Sequence, residues 1–312
     1  MRGPVVLGLD FGGSKIAAAV CDLDGNRLAD TVVPTAPLDG AQVNLHRGIT
    51  AASVLLGSLG GPRLVAVGVS TFGIPSDRGV ELAPAIPGWD SLRLDLELNR
   101  AFDGVPIALA TDVKAAAQAE SETGALVGCD PGLYLNLGTG LAVAIVADGT
   151  VITGRHGASG EIGYGLRYLA DVAQPSGARI MLEEAVSGMA LANLASTIAG
   201  RLVSAEQVFT EAVGDPRWDH LIADFVAELA FHLVNLTIAI DPARIVVGGG
   251  MTAAWDLLHG GLRRALDAAV PYPPELTLAR FPFDAPLRGA MSLGVAAARG
   301  RTVTVAEPAV SL

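Results

Sequence analysis

The feature that most constrains this chain is a segment near its start, residues 5–33, reading VVLGLDFGGSKIAAAVCDLDGNRLADTVV. An apolar run ends in Asp10, and Phe11, Gly12, Gly13 and Ser14 break it. A second apolar run begins at Lys15, and a polar turn over residues 22–26 leads into a third. Apolar runs of this length, separated by Gly-rich or Asp-Gly breaks, read as strands joined by hairpins. The glycines therefore link two antiparallel strands. That argues against a P-loop or a dinucleotide fingerprint, in both of which the Gly-rich turn opens a helix. Backbone N–H groups of such a hairpin can still cradle a phosphate, and an Asp at the end of the first strand can hold a cation nearby. On its own, a Gly-Gly hairpin is most often just a turn.

With 312 residues the chain has material for one large or two ordinary domains. Apolar residues make up 51% and charged residues 17%, which places it among globular chains and not disordered ones. A net charge of −11 with no basic tract speaks against nucleic acid or an anionic membrane as partner. Cys21 and Cys129 are the only cysteines, and the apolar run over residues 5–9 is too short for a secretory core. The expectation is a reduced, cytoplasmic protein with both thiols as small core residues. The most membrane-like segment, residues 225–240, carries Glu228, His232 and Asn235 and reads as a buried amphipathic helix.

Along the chain, residues 44–59 show helical spacing and stop at Gly60-Gly61-Pro62; residues 64–69 form a continuous apolar run, the mark of a strand buried on both faces. A Gly/Pro-punctuated loop over residues 71–77 follows, then a helix over 92–102 and a short strand over 106–110. Thr111-Asp112 opens a helix over 113–123, and a capping role alone would explain that pair. The next segment repeats the opening. Strands at 133–137 and 141–147 flank Gly138-Thr139-Gly140, and Asp148-Gly149 turns the chain into a third strand at 150–153. Two such copies predict a duplicated domain with a cleft between the copies, where small-molecule sites concentrate. Further helices are predicted over 180–199, 205–213, 220–240, 255–269 and 287–299, with Glu183 and Glu184 near the start of the first. A buried strand over 244–247 runs into Gly248-Gly249-Gly250, a junction that can accept an adenosine or a phosphate. The tail after Arg301 is expected to fray.

These residues carry a resemblance. Asp10 to Lys15, Pro87-Gly88-Trp89, Thr111-Asp112, Gly138-Thr139-Gly140, Gly160-Glu161-Ile162-Gly163, Leu182-Glu183 with Ser187-Gly188, and Asp241-Pro242 with Gly248-Gly249-Gly250 occur in the order found in ROK-family sugar kinases. The resemblance covers about residues 5–300. It implies an α/β chain of the actin-like/hexokinase-like ATPase fold, with two similar α/β domains flanking a cleft. The smaller domain would span 1–110, completed by a C-terminal helix at about 287–312, and the larger 111–286. It further implies an ATP-dependent kinase acting on the primary hydroxyl of a hexose, with Asp112 as general base. Asp10 would position Mg²⁺ through water. Gly12, Gly13, Ser14, Lys15, Thr139 and Gly140 would surround the phosphates, and Gly249 and Gly250 would lie against adenosine. Gly73, Thr111, Asp112, Glu161, Tyr164 and Glu183 would meet the sugar. Repressors of the family carry a DNA-binding segment before the first phosphate loop, and only four residues precede the first strand here. Domain closure and a homodimer are further expectations from the resemblance.

Three departures from the family pattern matter. Thr111 stands where Asn is usual, and Tyr164 where His is usual. The zinc-binding cysteine cluster is missing, since residues 166–181 contain no Cys. Tetrahedral zinc needs about four Cys or His ligands. No zinc is therefore expected, with packing of the 166–182 segment in its place. The other two changes alter hydrogen-bonding capacity on the sugar side. Buried polar groups left unpaired cost about 1–3 kcal/mol each, so the expected acceptor is specialised, an amino-hexose such as kanosamine. The alternatives are glucose, a C7-cyclitol, or a sugar-binding regulator without catalysis.

Overall fold

The computed structural model describes residues 3–212 and 215–301. In chain order the strands are β1 (Val5–Phe11), β2 (Lys15–Cys21), β3 (Arg27–Pro34), β4 (Leu64–Thr71), β5 (Ile74–Ser76), β6 (Gly79–Glu81), β7 (Ile107–Thr111), β8 (Gly132–Leu137), β9 (Leu141–Ala147), β10 (Thr150–Val151), β11 (Arg244–Gly248) and β12 (Glu275–Leu278). The α-helices are α1 (Ala41–Ser58), α2 (Leu94–Ala101), α3 (Asp112–Thr123), α4 (Gly188–Ala199), α5 (Ala205–Glu211), α6 (Pro216–Ile240), α7 (Trp255–Ala269) and α8 (Ala285–Ala298). They fall into two compact units. One runs to Ala119 and adds Val151–Ser159 and the chain from Asp284, while the other holds Glu120–Thr150 and Gly160–Phe283.

The first unit is built on a five-stranded sheet of order β3-β2-β1-β4-β7, antiparallel from β3 to β1 and parallel from β1 to β7. Val5, Leu7, Leu9 and Phe11 of β1 pack on one side against Leu45 and Leu55 of α1 and against Trp89. Val6 packs on the other side against Leu287, Met291 and Val295 of α8. Both faces are covered, which is why β1 reads as a continuous apolar run without alternation. The helix α8 lies so close to the sheet that a Cβ on Gly68 of β4 would run into the Ala290 carbonyl.

The second unit repeats the order in its own sheet, β10-β9-β8-β11-β12. Again the first pair is an antiparallel hairpin and the inner strand continues into parallel neighbours. Its core joins Leu133, Leu135 and Leu137 to Leu221, Phe225, Leu229 and Leu233 of α6 and to Leu258, Leu262 and Leu266 of α7. By length and composition α6 could cross a membrane, but these four residues pack its apolar face into the core of the unit.

Several elements differ from the sequence expectation. The helix predicted from residue 44 starts at Ala41, because the buried Asn44 side chain bonds Ala36 and Gly40 and holds the entry turn. The helix predicted over 180–199 is only Gly188–Ala199, preceded by a separate 3-10 turn, Leu182–Glu184. The strand expected over 150–153 is the two-residue β10, and β12 had no sequence expectation. The helix expected to end at 213 is α5, and residue 213 lies outside the described residues. The segment expected to pack in place of a zinc site does so by polar contacts. Leu169, Val172 and Ile180 are exposed at 90%, 66% and 61%. Arg167 Nε and Nη2 bond both Glu228 oxygens, and Asp171 Oδ2 accepts from the Arg167 and Tyr168 N–H groups. Among the described residues no group of three or more His, Cys, Asp or Glu is placed to hold a metal ion.

Candidate active site

In the first unit, the parallel strands β1, β4 and β7 end together. Asp10 pairs with Ser70 and Ser70 with Ala110, and one row further Phe11, Thr71 and Thr111 lie side by side. The carboxyl ends of parallel strands are where open α/β sheets bind ligands. Asp10 is buried, and the Ser70 hydroxyl donates to its Oδ1 at 2.6 Å. Burial pushes the Asp10 carboxyl up to about 6; the Ser70 hydrogen bond and the Lys15 charge pull it down, and Asp284 pushes it up. Serine 70 escaped the sequence reading, because only strand register brings it beside Asp10.

The helix α3 follows β7 without a loop. Thr111 Oγ1 accepts the Lys114 N–H at 3.3 Å, and Asp112 Oδ1 accepts the Val113 N–H at 2.8 Å. The capping role is therefore real for the Thr111 hydroxyl, and Asp112 is the first helical residue, half-buried at the strand end. Gly73 sits in the turn between β4 and β5. The Pro87-Gly88-Trp89 motif serves the core beneath that turn. Trp89 is buried, donates from Nε1 to Thr71 Oγ1 at 3.1 Å and stacks on Phe72 at 5.0 Å.

The β1–β2 hairpin is held by its carbonyls. Gly12 O accepts from the Thr35 hydroxyl at 2.8 Å, and Ser14 O from the Thr35 N–H at 3.1 Å. Gly12 N–H donates to Lys15 O at 2.9 Å. The N–H groups of Gly13 and Ser14 find no acceptor among the described residues, and Gly13, Ser14 and Lys15 are exposed.

The second unit handles its hairpin the same way. Gly138 O accepts the Gly188 N–H at 2.8 Å, Thr139 O accepts the Met189 N–H at 3.4 Å, and Gly138 N–H donates to Gly140 O at 3.1 Å. The first N–H groups of α4 are thus spent on the hairpin carbonyls, and Ser187 caps the same helix through the Ala190 N–H. Leu141 N–H donates to Glu183 Oε2 at 2.8 Å. The N–H groups of Thr139 and Gly140 again have no acceptor among the described residues. Two adjacent free N–H groups at a turn form an anion-binding concavity.

Glu161 precedes the 3-10 turn Ile162–Tyr164, which Tyr164 closes, and Glu183 lies on the neighbouring 3-10 turn. The three meet. Burial, then the negative charges of Glu183 and Glu161, push the Tyr164 hydroxyl above its ordinary range. Arg179 anchors this turn by donating to Tyr164 O at 2.9 Å. At the end of β11, Gly249 has φ of 93° and donates to Pro282 O, and Gly250 opens the 3-10 turn into α7. Asn136, on β8 beside these glycines, is a second residue the sequence reading missed. Superposing the two hairpins in the sequence would have found it, since it stands one residue before the strand end, as Asp10 does.

The comparisons with known proteins agree with one another. The ROK family profile matches residues 6–296. The bifunctional enzyme NanE/NanK of Brucella suis is 31% identical over 92% of this chain. This chain spans only about half, 53%, of that relative's length. Glucokinase of Streptomyces coelicolor is 30% identical over 84% of this chain and 86% of its own length. Kanosamine kinase of Amycolatopsis mediterranei is 28% identical over 81% and 82%. Among solved structures, a ROK hexokinase from Thermus thermophilus superposes with a TM-score of 0.78 at 32% identity, covering 95% of this chain and 99% of that one. A ROK glucokinase from Streptomyces griseus in complex with glucose and AMPPNP superposes with a TM-score of 0.78 at 26% identity, covering 93% and 99%. With a duplicated α/β sheet, two hairpins presenting free N–H groups, and a family profile spanning nearly its whole length, this chain belongs to the ROK family.

Proposed function

We propose that this chain transfers the γ-phosphoryl group of ATP to the primary hydroxyl of a hexose or amino-hexose, with Asp112 as general base. The observation that carries the reading is the duplicated hairpin, whose tip in each unit leaves two N–H groups without an acceptor among the described residues. Such donors suit phosphate oxygens, and phosphoryl transfer asks a protein for little beyond positioning and charge stabilisation. In this reading Gly12, Gly13, Ser14, Lys15, Thr139 and Gly140 serve the phosphates, and Gly249 and Gly250 serve adenosine. Asp112 accepts the hydroxyl proton as the sugar oxygen attacks. With Oδ1 engaged by the adjacent N–H, its carboxylate has a defined orientation at the helix start.

Asp10 fits a cation. Its carboxyl is buried, raised to about 6, and has one oxygen held by Ser70, so a positive charge beside it would relieve an unfavourable burial. Mg²⁺ bound there through water would neutralise phosphate charge, in keeping with its habit of retaining waters and taking few carboxylate ligands.

The acceptor is set by Thr111, Glu161, Tyr164 and Glu183. Two carboxylates around one phenol favour a cationic amino group over a neutral hydroxyl, which leads to an amino-hexose such as kanosamine as the preferred acceptor. The Thr111 hydroxyl oxygen already caps α3 and offers less to a sugar than an Asn would. Comparing kcat/KM for glucose, kanosamine, N-acetylated hexosamines and a cyclitol tests this. A higher value for the amino sugar supports it, and a clear preference for glucose removes the inference drawn from Thr111 and Tyr164. Asp112→Asn is expected to lower kcat about 10²–10⁴-fold with sugar affinity retained. An unchanged kcat would end the base assignment.

A further inference from the structure

We infer that Asn136 is a nucleotide-contacting side chain, donating from its amide to a phosphate oxygen of ATP. The inference rests on the kinase reading above and adds to it a residue outside the phosphate and adenosine motifs.

The two units carry the same device with different chemistry at one position. In the first, the last hairpin pair is Phe11 with Ile16 and the residue before is Asp10. In the second, the last pair is Leu137 with Leu141 and the residue before is Asn136. Each of these residues also faces the next parallel strand. Asp10 faces Ser70, whose hydroxyl bonds its carboxylate. Asn136 faces Gly248, which has no side chain to offer. A side chain at 248 could not be added, because its Cβ would collide with the Tyr134 hydroxyl.

The Asn136 amide consequently has no hydrogen-bond partner among the described residues, although the residue is half-buried. It is wedged among the glycines that the kinase reading assigns to ATP. Its Oδ1 lies 2.8 Å from where a Cβ on Gly249 would stand. Its Nδ2 lies 3.7 Å from the corresponding point on Gly138, and the Gly250 backbone N lies 3.7 Å from that same point. Gly250 is the first residue of a 3-10 turn, so its N–H has no partner within the turn. The amide and this N–H thus converge beside a hairpin whose Thr139 and Gly140 N–H groups are also unmade. Two donors at one point, next to a turn with two further open N–H groups, describe a place for an anion.

The difference between Asp and Asn then has a physical reason. A carboxylate suits the copy that faces a cation. In the copy that faces phosphate oxygens a carboxylate would repel them, whereas an amide keeps the shape and supplies a donor.

The test is calorimetric titration of AMPPNP with Mg²⁺ into the full chain and its Asn136→Ala and Asn136→Asp variants. Melting temperatures would be recorded alongside, and sugar KM measured with the best acceptor. A hydrogen bond to a charged group predicts about ten-fold or more loss of AMPPNP affinity in Asn136→Ala. KM for ATP should rise while the sugar KM stays near its original value. Asn136→Asp should lose more than Asn136→Ala. The inference is overturned if a folded Asn136→Ala binds AMPPNP as the original chain does, or if Asn136→Asp binds as tightly as Asn136→Ala; the kinase reading survives either result. If the original chain binds no AMPPNP, both fall together.

Discussion

Glu183 Oε2 accepts the backbone N–H of Leu141 at 2.8 Å, tying an acid assigned to the sugar to the residue that follows the Gly138–Gly140 turn. Gly140 is part of the same joint, because a Cβ there would lie 2.5 Å from that oxygen. The acid thus has a structural contact and keeps acceptor capacity for a ligand hydroxyl. Glu183→Gln preserves an acceptor for Leu141 and should keep the melting temperature while weakening sugar binding. Glu183→Ala leaves the Leu141 N–H unsatisfied and should cost about 1–3 kcal/mol of stability as well. Denaturant titration of both variants checks this, and equal stability of the two would remove the structural half of the role.

The Asp10 carboxyl gives a pH signature in the metal-free protein. Its ordinary value is 3.8 and burial lifts it to about 6 in the folded chain, against the pull of Ser70 and Lys15. The folded state therefore holds this proton more tightly than the unfolded one. Its contribution to stability is present below about pH 4 and is lost as pH rises through about 6, a swing of about 3 kcal/mol. Asp10→Asn, which keeps an acceptor for Ser70, should melt higher than the original chain at pH 7.5 without Mg²⁺ and show no advantage at pH 4. Thermal melts at the two pH values check this, and a destabilised Asp10→Asn at pH 7.5 contradicts it.

The ion pair of Arg167 with Glu228 is two-pronged and mostly shielded, with side-chain exposures of 13% and 26%. It anchors a segment whose Leu169, Val172 and Ile180 side chains face outward. A double-mutant cycle on Arg167→Ala and Glu228→Ala should return a coupling above about 1 kcal/mol, more than an exposed pair gives. Arg167→Lys should recover less than half, because an ammonium cannot reproduce the fork. A coupling near zero would mean that the segment is held by something else.

Much of the fold was legible in the glycines. Gly12-Gly13 and Gly138-Thr139-Gly140 marked hairpins, their repetition marked a duplication, and both sheets share one strand order. What stayed hidden depended on distant partners. The start of α4 is set by the Gly188 N–H reaching the Gly138 carbonyl, 50 residues back in the chain (188 minus 138), and local periodicity carries no trace of that. The short β12 sits between prolines and polar residues and pairs at the sheet edge with β11 alone. In the site, Glu161 and Glu183 came from motif context, Ser70 needed strand register, and Asn136 needed only the two hairpins laid over one another. The packing expected of residues 166–182 in place of a zinc site rests on the Arg167–Glu228 pair, 61 residues apart in the chain, which local sequence does not reveal.

The most direct test of the account is phosphorus NMR of the product formed from Mg-ATP and an amino-hexose or hexose acceptor. The account predicts ADP and a 6-phosphorylated sugar in equal amounts, with the Asp112→Asn variant slower by about 10²–10⁴-fold. Transfer to no sugar in the panel, or the same rate from Asp112→Asn, would contradict it.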